Sequence, residues 1–359
     1  MGGDVGERTM QALVLHAVGD LRLERVPKPQ PGPGEALVHV AACGVCGSDV
    51  PRVFEHGTYR FPTIPGHECA GVVVEAPEDS PVPVGGRAAV KPLIPCGVCP
   101  YCAIGAVAQC LAYDYVGSRR DGAMAEYVCV PAANLVPVPD GVPIEQAALT
   151  EPAAVALHAL RQGGAQPGDQ VAVLGAGPIG MLVAQWARIW SAGKVYLIDI
   201  DAAKLALAVE LGLGVPIDAR LEDPVGRVVA ETGRSGADLV IEAAGVPATL
   251  VQALQMARPL GCVVIMGNPS RDVTLPQAVV SQVLRKELTI RGTWNSHMVE
   301  LPVDEWRVAL EMMAQGRLCL DPLISHRVPL ESGVAALAMM RDRSEPYHRV
   351  VLVNPLEEA

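Results

Sequence analysis

The pattern of apolar and polar positions changes character once along the chain. From Met10 to about Pro139, short apolar or alternating runs sit between turns rich in Pro and Gly, such as Pro31-Gly32-Pro33-Gly34. The runs are Gln11–His16, Ala36–Ala41, Ala70–Glu75, Arg87–Val90 and Ala125–Val130. Runs of that length between such turns predict the strands of an irregular β domain. Past Pro143 the residues become Ala-rich, and Ile144–Leu149 and Ala153–Gln162 predict helix. From Gln170 onward compact apolar runs alternate with helical segments. Val171–Leu174, Val195–Ile198, Leu239–Ile241 and Val263–Met266 predict buried parallel strands. Gly180–Ile189, Ala202–Leu211, Pro224–Thr232 and Pro247–Ala257 predict the helices between them. That alternation is the βαβ pattern of a doubly wound parallel sheet, so the fold class is α/β with a β-rich domain attached. After Asn295 the pattern predicts a helix at Val303–Gln315, a short extended piece, a helix at Leu330–Met340 and a closing strand at Arg349–Val353. Met1 to Thr9 is polar and Gly-rich and reads as a loose tail.

Length and composition narrow the function. With 359 residues the chain is near the size of two domains, and at 50% hydrophobic and 19% charged it can bury a large core. The net charge of −11, with no basic block, speaks against nucleic-acid or anionic-membrane partners. Met1 to His16 shows no secretory pattern, and no uncharged apolar run approaches the roughly 18 residues of a membrane span, so a cytoplasmic location is expected. In that compartment ten cysteines suggest metal sites or buried thiols rather than disulfides.

The strand at Gln170–Leu174 runs into Gly175-Ala176-Gly177-Pro178-Ile179-Gly180 and then a helix. In this spacing the first glycine makes the turn, the second lets the backbone approach a pyrophosphate and the third lets helix pack on strand. The helix N-terminus offers free N–H groups to the anion. Asp199 ends the next strand and is placed to bind ribose hydroxyls, where its charge would repel a 2′-phosphate, so NAD is expected over NADP. Asp201 lies past the strand end, and Lys204, one turn on, is either a second ribose contact or a solvated lysine.

Cys96, Cys99, Cys102 and Cys110 put four thiols within fifteen residues, a density that suits a closed tetrahedral zinc. The gap of seven residues before Cys110 departs from the usual bacterial iron–sulfur run. Cys46, His67 and Glu151 together supply a thiolate, an imidazole and a carboxylate. Three protein ligands with an open position are the pattern of a catalytic zinc. Cys43 forms a Cys-x-x-Cys pair with Cys46 but continues a strand and reads as buried structure; Cys69, Cys129, Cys262 and Cys319 read as core thiols.

These motifs together resemble the zinc-dependent medium-chain dehydrogenase/reductase family, polyol dehydrogenase group, over about Met10 to Val353. Within that group Gly47–Phe54, Gly292–Asn295 and Asp321–Arg327 are similar to galactitol-1-phosphate 5-dehydrogenases. The resemblance implies a GroES-like catalytic domain from 1–156 and 297–359, with a zinc lobe at 92–112, and a Rossmann domain at 157–296. It implies two zinc ions per chain, one catalytic and one structural. Cys46 and His67 would be catalytic ligands, the third position falls on Glu151, and Glu68 is a near ligand that can exchange with water or with Glu151, the sequence leaving open which carboxylate is bound. Asp49 would orient His67, and Ser48 would accept the proton of the substrate hydroxyl. Pro51 stands where sorbitol and butanediol dehydrogenases usually carry a His, which removes a His-mediated relay. The expected reaction is hydride transfer between a secondary alcohol of a polyol or polyol phosphate and NAD. Arg52, Tyr59 and Asn295 are the candidate substrate contacts, with Arg52 as the clamp for a phosphate. Threonine, butanediol or aminocyclitol dehydrogenases are the alternatives within the family; a zinc-free quinone reductase or a non-catalytic NAD-binding protein is the alternative of another class. A homodimer or homotetramer is expected, built through the sheet edge near Arg271–Arg291.

Overall fold

The computed structural model describes residues 9–355. The expected tail lies outside the described residues except for Thr9, which begins a strand. The residues divide into two compact units, 1–151 with 297–359, and 152–296. The division falls at Glu151/Pro152 rather than after residue 156. Helix Thr150–Gln162 crosses it, and from Pro152 on that helix belongs with the second unit, where Trp186 Nε1 donates to the Ala153 carbonyl at 2.8 Å.

The first unit is built on a seven-stranded sheet. Its order is Ile324–Pro329, Arg349–Val353, Glu35–Val45, Glu68–Glu75, Arg87–Val90 and Leu135–Pro137, with Tyr127–Pro131 also paired to Glu35–Val45. All neighbours are antiparallel except the first two. Strand Glu35–Val45 is buried along almost its whole length, as suits its central place in the sheet. A hairpin of Thr9–Ala17 and Asp20–Pro27 adds Leu13 and Leu15 to a core shared with Val38, Val73, Val128 and Leu352. Asp20–Pro27 escaped the sequence reading because its outward positions are charged and only Leu21 is buried.

The second unit holds a six-stranded parallel sheet in the order Val215–Asp218, Lys194–Asp199, Gln170–Leu174, Ala237–Glu242, Ala257–Ile265, Thr289–Gly292. Counted along the chain this is 3-2-1-4-5-6, the order of a dinucleotide-binding sheet. The four expected strands and helices are present. Val215–Asp218 was missed because Pro216 interrupts its apolar run, and Thr289–Gly292 because every residue in it is exposed. Helix Gln277–Lys286 was also unread, since it buries Val279 alone. No helix among the described residues is long and apolar enough to cross a membrane.

Candidate functional site

Cys46 follows the end of strand Glu35–Val45, and Ser48 precedes a helical turn, Asp49–Pro51, that runs on into Arg52–His56. His67 immediately precedes strand Glu68–Glu75, in which Glu68 lies opposite Gly44. Two neighbouring antiparallel strands therefore present a thiol, an imidazole and a carboxylate at one end. One donor atom from each of Cys46, His67 and Glu68 lies within 4.8 Å of the other two.

Three contacts hold this set. Asp49, fully buried, accepts the Cys46 N–H at 3.0 Å through Oδ2 and the Arg52 Nη1 at 2.8 Å through Oδ1. The same Oδ1 faces His67 Nδ1 at 3.5 Å, which leaves the other ring nitrogen for a ligand. Glu68 forms a buried ion pair through Oε2 with Arg349 Nη2, while its Oε1 is buried with no hydrogen-bond partner. The Ser48 hydroxyl lies 3.2 Å from Cys46 Sγ on the exposed side of the turn.

The carboxylates of Asp49 and Glu68 pair with the guanidinium groups of Arg52 and Arg349. Burial opposes charge on the His67 imidazole, yet Asp49 and the Cys46 thiolate hold its pKa well above the usual value. Burial, and next the Glu68 carboxylate, push the Glu151 carboxyl up to about 7. The orphaned Glu68 oxygen beside them is what a divalent ion would satisfy, and thiolate, imidazole and carboxylate are zinc donors. The residues fit that ion.

The four-cysteine lobe is built differently. Cys99 Sγ lies 3.5 Å from Cys102 Sγ and 4.0 Å from Cys110 Sγ, and the Cys96 N–H points at Cys110 Sγ at 3.2 Å. Tetrahedral thiolates on zinc stand about 3.8 Å apart, given bonds near 2.3 Å. Backbone N–H groups of Leu111 and Cys102 bring the Cys99 thiol down to about 6, while burial and the neighbouring Cys99 push Cys102 up to about 12. The lobe is anchored by Leu93, Val107 and Met298.

In the second unit Gly175 has φ +101°, and a Cβ on Gly180 would lie 1.8 Å from the Gly175 carbonyl oxygen. Only glycine fits either place. A Cβ on Gly177 meets nothing within 4 Å, so that backbone is open to a ligand. Pro178 and Ile179 open helix Pro178–Ile189. Asp199 ends its strand as expected and accepts the Ala176 N–H at 2.7 Å, tying it to the glycine turn. Asp201 instead caps helix Ala202–Glu210, accepting the Ala203 N–H at 2.9 Å, and Lys204 Nζ stands 3.9 Å from it.

Residues 32–140 match the model of the alcohol dehydrogenase GroES-like domain, and residues 178–315 that of the zinc-binding dehydrogenases. The galactitol 1-phosphate 5-dehydrogenase of Escherichia coli K12 is 38% identical over 306 residues, 84% of this chain and 88% of that protein. This chain belongs to the zinc-binding alcohol dehydrogenase family. As a member it is an oxidoreductase. The erythritol/L-threitol dehydrogenase of Mycolicibacterium smegmatis is 34% identical over 349 residues, 92% of this chain and 93% of that one. The crystal structure of galactitol-1-phosphate dehydrogenase from Escherichia coli superposes with a TM-score of 0.90 at 34% identity, covering 96% of this chain and 100% of that one. A zinc-binding dehydrogenase from Sinorhizobium meliloti, solved bound to NADP, gives 0.89 at 33% identity, with 96% and 99% covered.

Of the two carboxylates that the sequence left open, Glu68 is the one in the donor set that comes together in this dehydrogenase. Glu68 gets there because it starts a strand paired to the one that ends at Cys46. The Arg52 guanidinium, expected to reach substrate, is engaged by Asp49 and is only 21% exposed. Tyr59 is 70% exposed. Asn295 adopts a left-handed backbone, φ 59°, and its Oδ1 is buried without a partner. Sequence reasoning missed Arg349 and Gly44. A lone arginine opening an apolar strand was the signal for the first. For the second it was a glycine inside a strand: a Cβ there would stand 2.3 Å from Glu68 Oε2 and 2.8 Å from Leu149 Cδ2.

Proposed function

We propose that this dehydrogenase oxidises a secondary alcohol of a polyol or polyol phosphate, passing hydride to NAD. The observation that carries the reading is the Cys46–His67–Glu68 donor set, with a buried carboxylate as its third member, on a chain that also holds the Gly175–Gly180 turn. Cys46, His67 and Glu68 would hold a catalytic zinc, with Glu151 beside them as the exchanging carboxylate; Cys96, Cys99, Cys102 and Cys110 would hold a second, structural one. A zinc at the first site supplies Lewis-acid polarisation of a hydroxyl oxygen. Asp49 keeps the His67 ring oriented, and Arg349 holds Glu68 in place. Ser48, next to Cys46 and open to solvent, takes the substrate hydroxyl proton and releases it outward. Hydride acceptance is the chemistry of the nicotinamide, positioned by the glycine turn. The named relatives act on galactitol phosphate and on erythritol or threitol, which supports a polyol here.

NAD is the proposed cofactor because the Asp199 carboxylate stands at the strand end where a 2′-phosphate would lie. The Sinorhizobium structure binds NADP, so the discrimination is to be measured on this chain. The proposed assembly is a homodimer or larger, through strand Thr289–Gly292, which is exposed throughout and neighbours exposed Val280 and Leu284. Ten cysteines without a disulfide fit a reducing compartment, the cytosol. The deciding experiment is a screen of NAD and NADP reduction against polyols, polyol phosphates, threonine and diols. A clear preference for threonine, or for a simple apolar alcohol, sinks the polyol reading.

A further inference from the structure

The loop that packs on the His67 turn carries a cation that no carboxylate among the described residues pairs with. Arg119 lies in the segment Tyr113–Gly122. A Cβ on Gly117 or Gly122 would fall 2.4 or 2.3 Å from the Gly66 carbonyl oxygen, and the Ala123 N–H donates to that oxygen at 3.0 Å. The Arg119 guanidinium lies over two phenol rings, 4.0 Å from the Tyr59 centroid and 4.5 Å from that of Tyr113. Tyr113 meets Tyr115 edge-on at 6.3 Å, and Tyr115 lies 5.8 Å from the His67 ring. A run of ring contacts thus leads from the guanidinium to a proposed zinc ligand.

No carboxylate among the described residues comes within ion-pair distance of Arg119, and its Nε–H is buried without an acceptor. Its neighbours differ: Arg52 pairs with Asp49, Arg60 with Asp121 and Arg120 with Glu35. Aromatic faces attract a guanidinium and fix its plane, but its N–H donors lie around the edge and still need acceptors. The phenol oxygens of Tyr113 and Tyr59 are its polar neighbours, and neither brings a counter-charge. A planar cation held against aromatic rings with no carboxylate beside it suits an oxyanion, two oxygens to two N–H groups.

We infer that Arg119, clamped by Tyr59 and Tyr113, binds the phosphate of a phosphorylated polyol and selects that substrate over the free polyol. The inference rests on the polyol reading above and moves the phosphate clamp from Arg52, which Asp49 already holds, to Arg119. A phosphate monoester suits the place because it brings a charge near −2 and three acceptor oxygens, enough to satisfy the guanidinium edge.

The test compares the zinc-loaded enzyme with its Arg119→Met and Arg119→Lys variants on galactitol 1-phosphate and on galactitol, with NAD as oxidant. The wild type is expected to favour the ester in kcat/KM by about tenfold or more. Arg119→Met is expected to lower the ester-to-polyol ratio by about ten- to a hundredfold, mostly through KM, the size of a lost charge-assisted pair, and Arg119→Lys to restore part of it. Equal losses on both substrates, or a wild-type ratio near one, overturn the inference. Titration calorimetry with galactitol 1-phosphate reads the same site without turnover; binding weakened about tenfold in Arg119→Met is expected, and unchanged binding overturns the assignment. If neither polyol is turned over while the ester still binds through Arg119, the anion site stands and the polyol reading falls, so the two failures are told apart.

Discussion

The two candidate zinc centres belong to one unit of one chain, and they are made in opposite ways. The four-cysteine lobe takes all its donors from residues 96–110, and backbone N–H groups within the same loop aim at the sulfurs. The Cys46–His67–Glu68 set takes its donors from two strand ends and needs Arg349, from the far end of the chain, to balance Glu68. The first is a closed shell of like ligands, which a metal completes and folds. The second keeps a buried carboxylate oxygen unpartnered and an exposed hydroxyl at its edge. A site that holds a metal for structure satisfies all its donors locally, whereas a site that works on a substrate leaves one place open.

The contrast predicts a hierarchy of effects. Cys102→Ser should be the most damaging to folding, by on the order of 5 kcal/mol, because metal binding there is folding free energy. Zinc content should fall from about two to about one per chain, and thermal unfolding should move to lower temperature. An intact melting profile with two zincs would dissolve the distinction between the centres. His67→Ala and Cys46→Ser should do the reverse: near-normal melting, with kcat/KM reduced by about a thousandfold or more, the scale of lost metal polarisation. Circular dichroism and metal analysis alongside kinetics separate the two classes.

Arg349→Met probes the support of the open centre. It leaves Glu68 buried without its counter-charge, so a stability loss of about 3 kcal/mol is expected in the metal-free protein. Added zinc should recover part of that loss, since the ion takes over the neutralising role; a loss that zinc leaves untouched would argue that Glu68 does not face the metal. The smallest expected change is Gly44→Ala. Its new methyl crowds Glu68 Oε2 and Leu149 Cδ2, at a cost of about 1–2 kcal/mol. Zinc affinity at the catalytic centre should drop while the four-cysteine lobe keeps its ion, as a chelator titration would show.

Much of this was readable before any fold was known. Strands and helices of the parallel sheet followed from compact apolar runs, because a strand covered on both faces has to be apolar throughout. The glycine turn and the cysteine lobe were legible because their chemistry is written in consecutive residues. Val215–Asp218 and Thr289–Gly292 were not, the one broken by a proline and the other bearing no buried side chain. The phosphate clamp was placed on Arg52 by closeness in sequence to the Ser48–Asp49 turn. One helical turn brings that guanidinium back onto Asp49, while Arg119, more than fifty residues on, lies over two tyrosine rings near the His67 turn with its Nε–H unpartnered.

The amino-acid order alone determined what is local: the two sheet types, the dinucleotide turn and the closed metal lobe. Tertiary structure alone decided which carboxylate joins Cys46 and His67, which arginine neutralises it, and which tyrosines lie against Arg119. The reason is the same each time. Spacing along a chain sets distance only within a turn or a strand, whereas the pairing of Gly44 with Glu68 and of Val350 with Val45 is a property of the sheet. Only that pairing carries Glu68 and Arg349 to the same end of the same strand, where burial turns two ordinary charges into a pair that must meet.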